Sequence, residues 1–495
     1  VTEEKAAVQA LYQQAHDAMG RREASVAITL LEQSLRADPQ HALSWRLYGF
    51  ALREEQRMPE ALEAFHQAEL LDPQDPLTLT ARAQTLVQCG LPALTCVNHA
   101  LARSPDDPSL RLTLASALIA DGRQDEAIAL LEEQLRKTPG WLEGQHRLAE
   151  IRWTSGDQGN FTRGYEEAVG VEPGNLRLRL AWFRFVAQAR NWDTARRIIR
   201  DAQRTFGDQR IFTVASAYIA AEAGARSEAE SLFEKCRGME DEILGLAWIR
   251  HCLRERRPAE AEREALRLTH TASANLAWPY LSLIWRLTGD ARAEWLDGSP
   301  PYVRVLEVDL TACELEELAQ LLRSLHTARA PYIEQSVRGG TQTERPLFFR
   351  MEPIIARAKE KITDAVHEYI AQLPPYEEGH PLLGSPRQRV LYSGSWSVRL
   401  TRQGYNVAHT HPMGWLSSAF YVSLPSREQM GTPPAGWIRF GVAPPELGLE
   451  LPPYAQMEPQ VGRLVLFPST MWHSTVPFED GERLVLAFDV RTPSA

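Results

Sequence analysis

Cysteine is scarce and unpaired. Five residues in 495 (Cys89, Cys96, Cys236, Cys252 and Cys313) are scattered, and none forms a Cys-x-x-Cys pair. That excludes a disulfide framework and a cysteine-rich zinc module, and an odd, dispersed set fits a reducing cytoplasm. No stretch reaches the roughly 18 consecutive apolar residues of a membrane span, so no membrane partner is expected. Long basic runs are also missing and the net charge is −10. With no patch to neutralise phosphates, no nucleic-acid partner is expected. The opening Val-Thr-Glu-Glu-Lys is polar and runs into helical sequence, unlike a signal peptide. What is present is ordinary for a globular chain, 44% hydrophobic and 24% charged, and long enough for more than one core.

The first part of the chain is periodic. Pro39, Pro73, Pro105, Pro139 and Pro173 are spaced 34, 32, 34 and 34 apart. Twelve residues before them stand Ala27, Ala61, Ala93, Ala127 and Phe161, and the frame continues through Ala195, Ala229 and Ala261 without the prolines. A second small-residue position appears at Ala68, Ala100 and Ala168. Small residues let two helices approach closely, and a proline stops the second helix of each pair. The pattern resembles the tetratricopeptide repeat, about eight units from residue 4 to roughly 290, and assigns residues 1–292 to an α-solenoid. Such an array offers a groove for a protein or peptide segment; the bland alternative is a spacer or dimerisation arm whose groove its own chain fills.

Near Gly298-Ser-Pro-Pro-Tyr302 the pattern changes. Residues 303–310 read as a strand, and 314–326 and 352–373 as helices. Further strands are expected over 389–392, 395–400, 416–424, 436–440, 464–467 and 483–490. Short strands punctuated by proline and glycine, with two supporting helices, predict a double-stranded β-helix, a jelly-roll barrel, over residues 300–495. The fold class is therefore multidomain α + β, solenoid then barrel.

Two stretches carry candidate chemistry. In Asn406-Val-Ala-His-Thr-His, His409 and His411 lie two apart, so an extended chain puts both imidazoles on one face, with Asn406 on the opposite parity. In Gly462-Arg-Leu-Val-Leu-Phe-Pro-Ser-Thr-Met-Trp-His473, His473 ends an apolar strand, and Arg483 follows ten residues later. Two histidines and a carboxylate holding iron(II) on one face, with a basic residue beyond them, is the pattern of a non-haem oxygenase. Here the acid position is His411. Three arrangements follow: all three histidines bind metal; only His409 and His473 bind, with water or a neighbour completing the site; or His411 faces substrate or supports a ligand. Arg483, among apolar neighbours, suits the distal carboxylate of 2-oxoglutarate. Asn406, Ser417 and Tyr421 are further candidates for holding that co-substrate. The run Arg338-Gly339-Gly340-Thr341-Gln342-Thr343 is expected as a polar loop, a candidate lid. His326, His367 and His380 have no partner at useful spacing and are expected at the surface.

Residues 338–343, 393–399, 409–422, 436–441 and 466–473 together resemble the 2-oxoglutarate/Fe(II) oxygenase domain found in bacterial repeat proteins, over roughly residues 300–492. The resemblance implies metal ligation by His409, His411 and His473, 2-oxoglutarate held at Arg483, and Fe(II), 2-oxoglutarate and O2 as the reacting set. The layout is similar to that of aspartyl/asparaginyl and prolyl hydroxylases. The expectation is an oxygenase hydroxylating a side chain of a protein or peptide recruited by the repeats. The alternatives are a small-molecule hydroxylase whose repeats serve assembly, and a non-catalytic scaffold with a degenerate barrel.

Overall fold

The computed structural model describes residues 2–297, 302–344, 346–387 and 389–491. The Gly298–Pro301 run, where the periodicity changes, and the last residues of the expected barrel lie outside the described residues. The chain forms two compact units: Val1–Ile151 with Pro346–Ala356, and Arg152–Arg345 with Arg357–Ala495.

Helices follow one another from Thr2 to Asp297. The small residues of the repeat frame sit in the second helix of each pair or at its start, and they are buried: Ala27, Ala61, Ala127, Ala195, Ala229 and Ala261 are each 0% exposed. Each frame proline stands two residues beyond a helix ending at Ala37, Leu71, Arg103, Lys137 or Val171. The residue before it has left helical geometry, as the clash with the proline ring requires. After Val171 other residues end the helices: the one over Trp192–Phe206 stops at Gly207, with φ 72°. A second periodic mark was hidden in the sequence. Arg22, Gln56, Gly90, Gly122, Gly156, Arg190, Gly224 and Arg256 all have positive φ, one in each turn inside a helix pair. Half of them are not glycine, so composition did not reveal them.

The strands after the repeats are β1 (Arg304–Glu307), β2 (Val337–Gln342), β3 (Tyr392–Asn406), β4 (Gly414–Ser423), β5 (Ile438–Phe440), β6 (Ala455–Met457), β7 (Arg463–Pro468), β8 (His473–Thr475) and β9 (Arg483–Arg491). They form an antiparallel sheet in the order β1-β7-β4-β9-β3-β2 and a smaller one, β6-β5-β8. This is the expected jelly-roll-like domain. The helix expected over 314–326 runs Ala312–Leu325 and starts at a capping box, Thr311 with Glu314.

Several expectations are corrected. The run Arg338–Thr343 is not a loop: through Gln342 it is the edge strand β2, paired with β3 through a bulge between Arg338 and Gly340. His473 does not end the apolar strand. That strand, β7, stops at Pro468; a turn closed by Met471 N–H to Pro468 O (3.0 Å) follows, and His473 opens β8 in the other sheet. His380 is buried, 2% exposed, its ring accepting from the Leu382 and Leu383 amides. His326 is part-buried between Thr341 and Ser397. His367 is at the surface as expected.

Candidate metal centre and co-substrate pocket

One face of β9 organises the site. With a side-chain period of two, Arg483, Val485, Ala487 and Asp489 share that face, and the first three line a cavity of about 270 Å³. On β3, Trp396, Val398 and Leu400 stand opposite Ala487, Val485 and Arg483 and line the same cavity. His409, His411, His473, Thr475, Ile438 and Phe467 also line it.

The three histidines come together although His473 lies 62 residues after His411. His409 and His473 form an isolated antiparallel bridge, and their ring centroids are 4.1 Å apart. His411 stands 5.0 Å from His409 and 5.1 Å from His473. One ring nitrogen of each lies within 4.8 Å of those of the other two, a group that could hold a metal ion.

Their hydrogen bonds orient the rings. His409 Nδ1 faces Val407 O at 2.8 Å, His473 Nδ1 faces Met471 O at 3.0 Å, and His411 Nδ1 faces Asp489 Oδ2 at 2.8 Å. All three partners are acceptors, so each Nδ1 carries a proton and each Nε2 is the nitrogen left for a metal. Burial, reinforced by neighbouring His411, holds His409 down at about 3. Burial and both neighbouring imidazoles likewise hold His473 well below the usual histidine range. The donor set fits a borderline metal such as iron(II).

Arg483 is 2% exposed. Its Nη1 donates to Gly436 O at 2.8 Å, its Nε has no partner among the described residues, and its guanidinium lies 5.1 Å from the Tyr421 ring centre. Among the described residues no carboxylate pairs with it. A buried cation so poorly matched calls for an anionic ligand.

The other candidates divide. Asn406 and Gln342 line the cavity. Alternation back from His409 predicts the opposite face for Asn406, but β3 ends at Asn406 and alternation does not carry through to His409; its amide is tied to Ser336 Oγ at 2.9 Å. Ser417 and Tyr421 share a face of β4 with the cavity-lining Ala419 but sit at its two ends. Ser417 Oγ donates to Asp489 Oδ1 at 2.7 Å, and the buried Tyr421 hydroxyl lies beside Arg483 without a hydrogen bond. Arg338, Gly339, Gly340, Thr341 and Thr343 do not line the cavity; Thr341 meets His326 at 2.8 Å and Thr343 accepts from Ser397 N at 2.9 Å.

Two contributors went unread in the sequence. Trp396 stacks on His411 at 5.6 Å and 10°. Asp489 lies six residues after Arg483 on the same strand parity, a spacing that was visible but had no partner until the strands were paired.

The last helix pair buttresses the ligand loops. In the helix Ala274–Thr288 and just beyond the site, Asn275 Nδ2 donates to Pro412 O at 3.0 Å, beside His411, and Pro279 O accepts from Trp472 Nε1 at 2.9 Å, beside His473. Tyr280 packs edge-on against Trp472 at 5.6 Å.

Comparison with known proteins finds family matches in both parts of the chain. Residues 394–489 match the family described as "Putative 2OG-Fe(II) oxygenase", and residues 12–76 and 90–153 match tetratricopeptide-repeat families. The chain carries tetratricopeptide repeats and a C-terminal 2OG-Fe(II) oxygenase domain. No curated protein matches it. Among solved structures, a Pseudomonas putida prolyl-4-hydroxylase is similar at 18% identity over 39% of this chain and 94% of that one, TM-score 0.28. A tetratricopeptide repeat protein from Parabacteroides merdae is similar at 16% identity over 49% and 97%, TM-score 0.32, and MamA at 15% over 33% and 96%, TM-score 0.30. No helix among the described residues is long and apolar enough to cross a membrane.

Proposed function

We propose that the C-terminal oxygenase domain is a hydroxylase that acts on a side chain of a protein or peptide recruited by the repeats, with His409, His411 and His473 holding Fe(II) and Arg483 holding 2-oxoglutarate. The repeats, residues 1–292, act as the recruiting domain, and residues 300–495 carry out the reaction. The observation that carries this reading is the placement of Arg483, buried and short of an anion, in the wall of the cavity that the three imidazoles also line.

Held by His409, His411 and His473, iron(II) would supply the oxidation chemistry in which 2-oxoglutarate and dioxygen give succinate and carbon dioxide and one oxygen atom goes to a substrate carbon. The chain does the rest. The Nδ1 bonds orient each imidazole and leave its Nε2 for a metal. Arg483 would meet a carboxylate with a charge-assisted, two-pronged contact and so orient a diacid in the cavity that the histidines share. Val398, Leu400, Val485 and Ala487 give the cavity apolar walls that exclude water around the reacting groups. The helix Ala274–Thr288, held to both ligand loops, supports a direct link between repeats and site.

The test is succinate release from 2-oxoglutarate by anaerobically iron-loaded protein on admission of oxygen, with Arg483→Ala beside it. Succinate dependent on iron, oxygen and Arg483 supports the reading; its absence from folded, iron-bound protein, with and without candidate peptides, refutes it.

A further inference from the structure

The carboxylate missing from the His-x-His spacing is present in space. Asp489 is 6% exposed, and among the described residues no lysine or arginine pairs with it. Its two oxygens are divided: Oδ2 accepts from His411 Nδ1 at 2.8 Å, and Oδ1 accepts from Ser417 Oγ at 2.7 Å. Ser417 is in turn 2.8 Å from Ser469 Oγ, and Ser469 O accepts from the His411 amide at 2.9 Å. Main chain and ring of His411 are thus held by one closed network. The corner is tight: a Cβ on Gly414 would come within 2.5 Å of Ser469 Oγ and 3.1 Å of Asp489 Cβ.

A buried carboxylate whose only side-chain partners are one imidazole and one hydroxyl gains from any positive charge brought to that imidazole. An imidazole that carries a cation on its far nitrogen becomes a much better donor, so charge at the three histidines and charge at Asp489 stabilise one another. His409 and His473 have main-chain carbonyls behind them; only His411, at the position usually acidic, has a carboxylate.

We propose that Asp489 replaces the absent ligand carboxylate from behind His411, as the positioning residue that makes His411 a true ligand and gives the centre its negative charge. The inference rests on the metal-binding reading above and settles among the three arrangements open in the sequence: His411 binds metal. Ser417 is assigned to the same task, orienting Asp489 rather than touching co-substrate.

The experiment is titration of the metal-stripped full-length protein with Co(II), followed by visible absorption, without 2-oxoglutarate or turnover. Asp489→Asn, nearly isosteric, is expected to weaken Co(II) binding by roughly 10–100-fold and shift the absorption bands, since such partners tune ligands by that factor. Ser417→Ala should do the same less strongly. His411→Asp alone leaves two carboxylates in one buried corner; with Asp489→Asn added, affinity should recover above that of either single variant. A purely structural role would lower the melting temperature and leave the affinity and spectrum of the folded protein unchanged, which overturns the proposal, as does a double variant no tighter than its parents. Wild-type protein that takes up no Co(II) overturns the metal reading as well; wild-type binding with unaltered variants overturns this inference alone.

Discussion

His409 and His473 are hydrogen-bonded to each other through their main chains, 3.0 Å in one direction and 3.1 Å in the other. The bridge fixes two imidazoles without using either side chain. Removing one ring should therefore leave the fold in place. His473→Ala is expected to keep its circular dichroism and lose Co(II) or Fe(II) affinity by at least on the order of 100-fold, given that mere partners of ligands are worth up to about that factor. Metal titration beside a thermal melt checks both parts; retained affinity would remove His473 from the ligand set.

Arg483 should act on 2-oxoglutarate and hardly on metal. Arg483→Lys keeps the charge but loses the planar fork and cannot reproduce its geometry. The KM for 2-oxoglutarate is expected to rise on the order of 10–100-fold, the roughly 1.5–3 kcal/mol of one lost hydrogen bond to a charged group. Co(II) affinity measured without 2-oxoglutarate should stay within a few-fold.

His326 gives the domain an acid sensitivity away from the site. Burial, then the charge of Arg399, holds it down at about 4. The folded form therefore resists a proton that the unfolded chain accepts near its ordinary value. Stability from this group is complete above about pH 6.5 and is lost as pH falls towards 4, by up to about 3 kcal/mol. The melting temperature should fall between pH 7 and 4.5 in the wild type and fall less in His326→Gln, which gains no proton.

Gly340 sets how closely β2 approaches β3. A Cβ there would meet Arg399 O at 2.2 Å and Leu400 Cα at 2.9 Å, both main chain. Gly340→Ala is expected to destabilise the protein by about 1–3 kcal/mol and to raise amide exchange along Val337–Gln342. Unchanged exchange would show that the edge strand adjusts without cost.

The sequence by itself determined what depends on neighbours along the chain. The 34-residue frame of Ala27, Ala61 and Ala127 set helix pairing because small side chains at that spacing must lie against a partner helix. Alternation set which residues of β9 and β4 share a face, because the pleat turns successive side chains to opposite sides. It also singled out His409, His411, His473 and Arg483 as a group.

Tertiary structure decided what depends on strand pairing and on where chains turn. The turn after Pro468 carried His473 into the second sheet and opposite His409. Pairing of β4 with β9 set Ser417 opposite Asp489, and so behind His411 instead of in the cavity. Close approach of β3 made the Arg338–Gln342 run an edge strand. His380 gained its partners from the fold around it, including Trp295 O at 3.0 Å. Each of these outcomes joins residues far apart in the chain. Local periodicity fixes the faces of each strand, but only the packed sheets fix which faces meet.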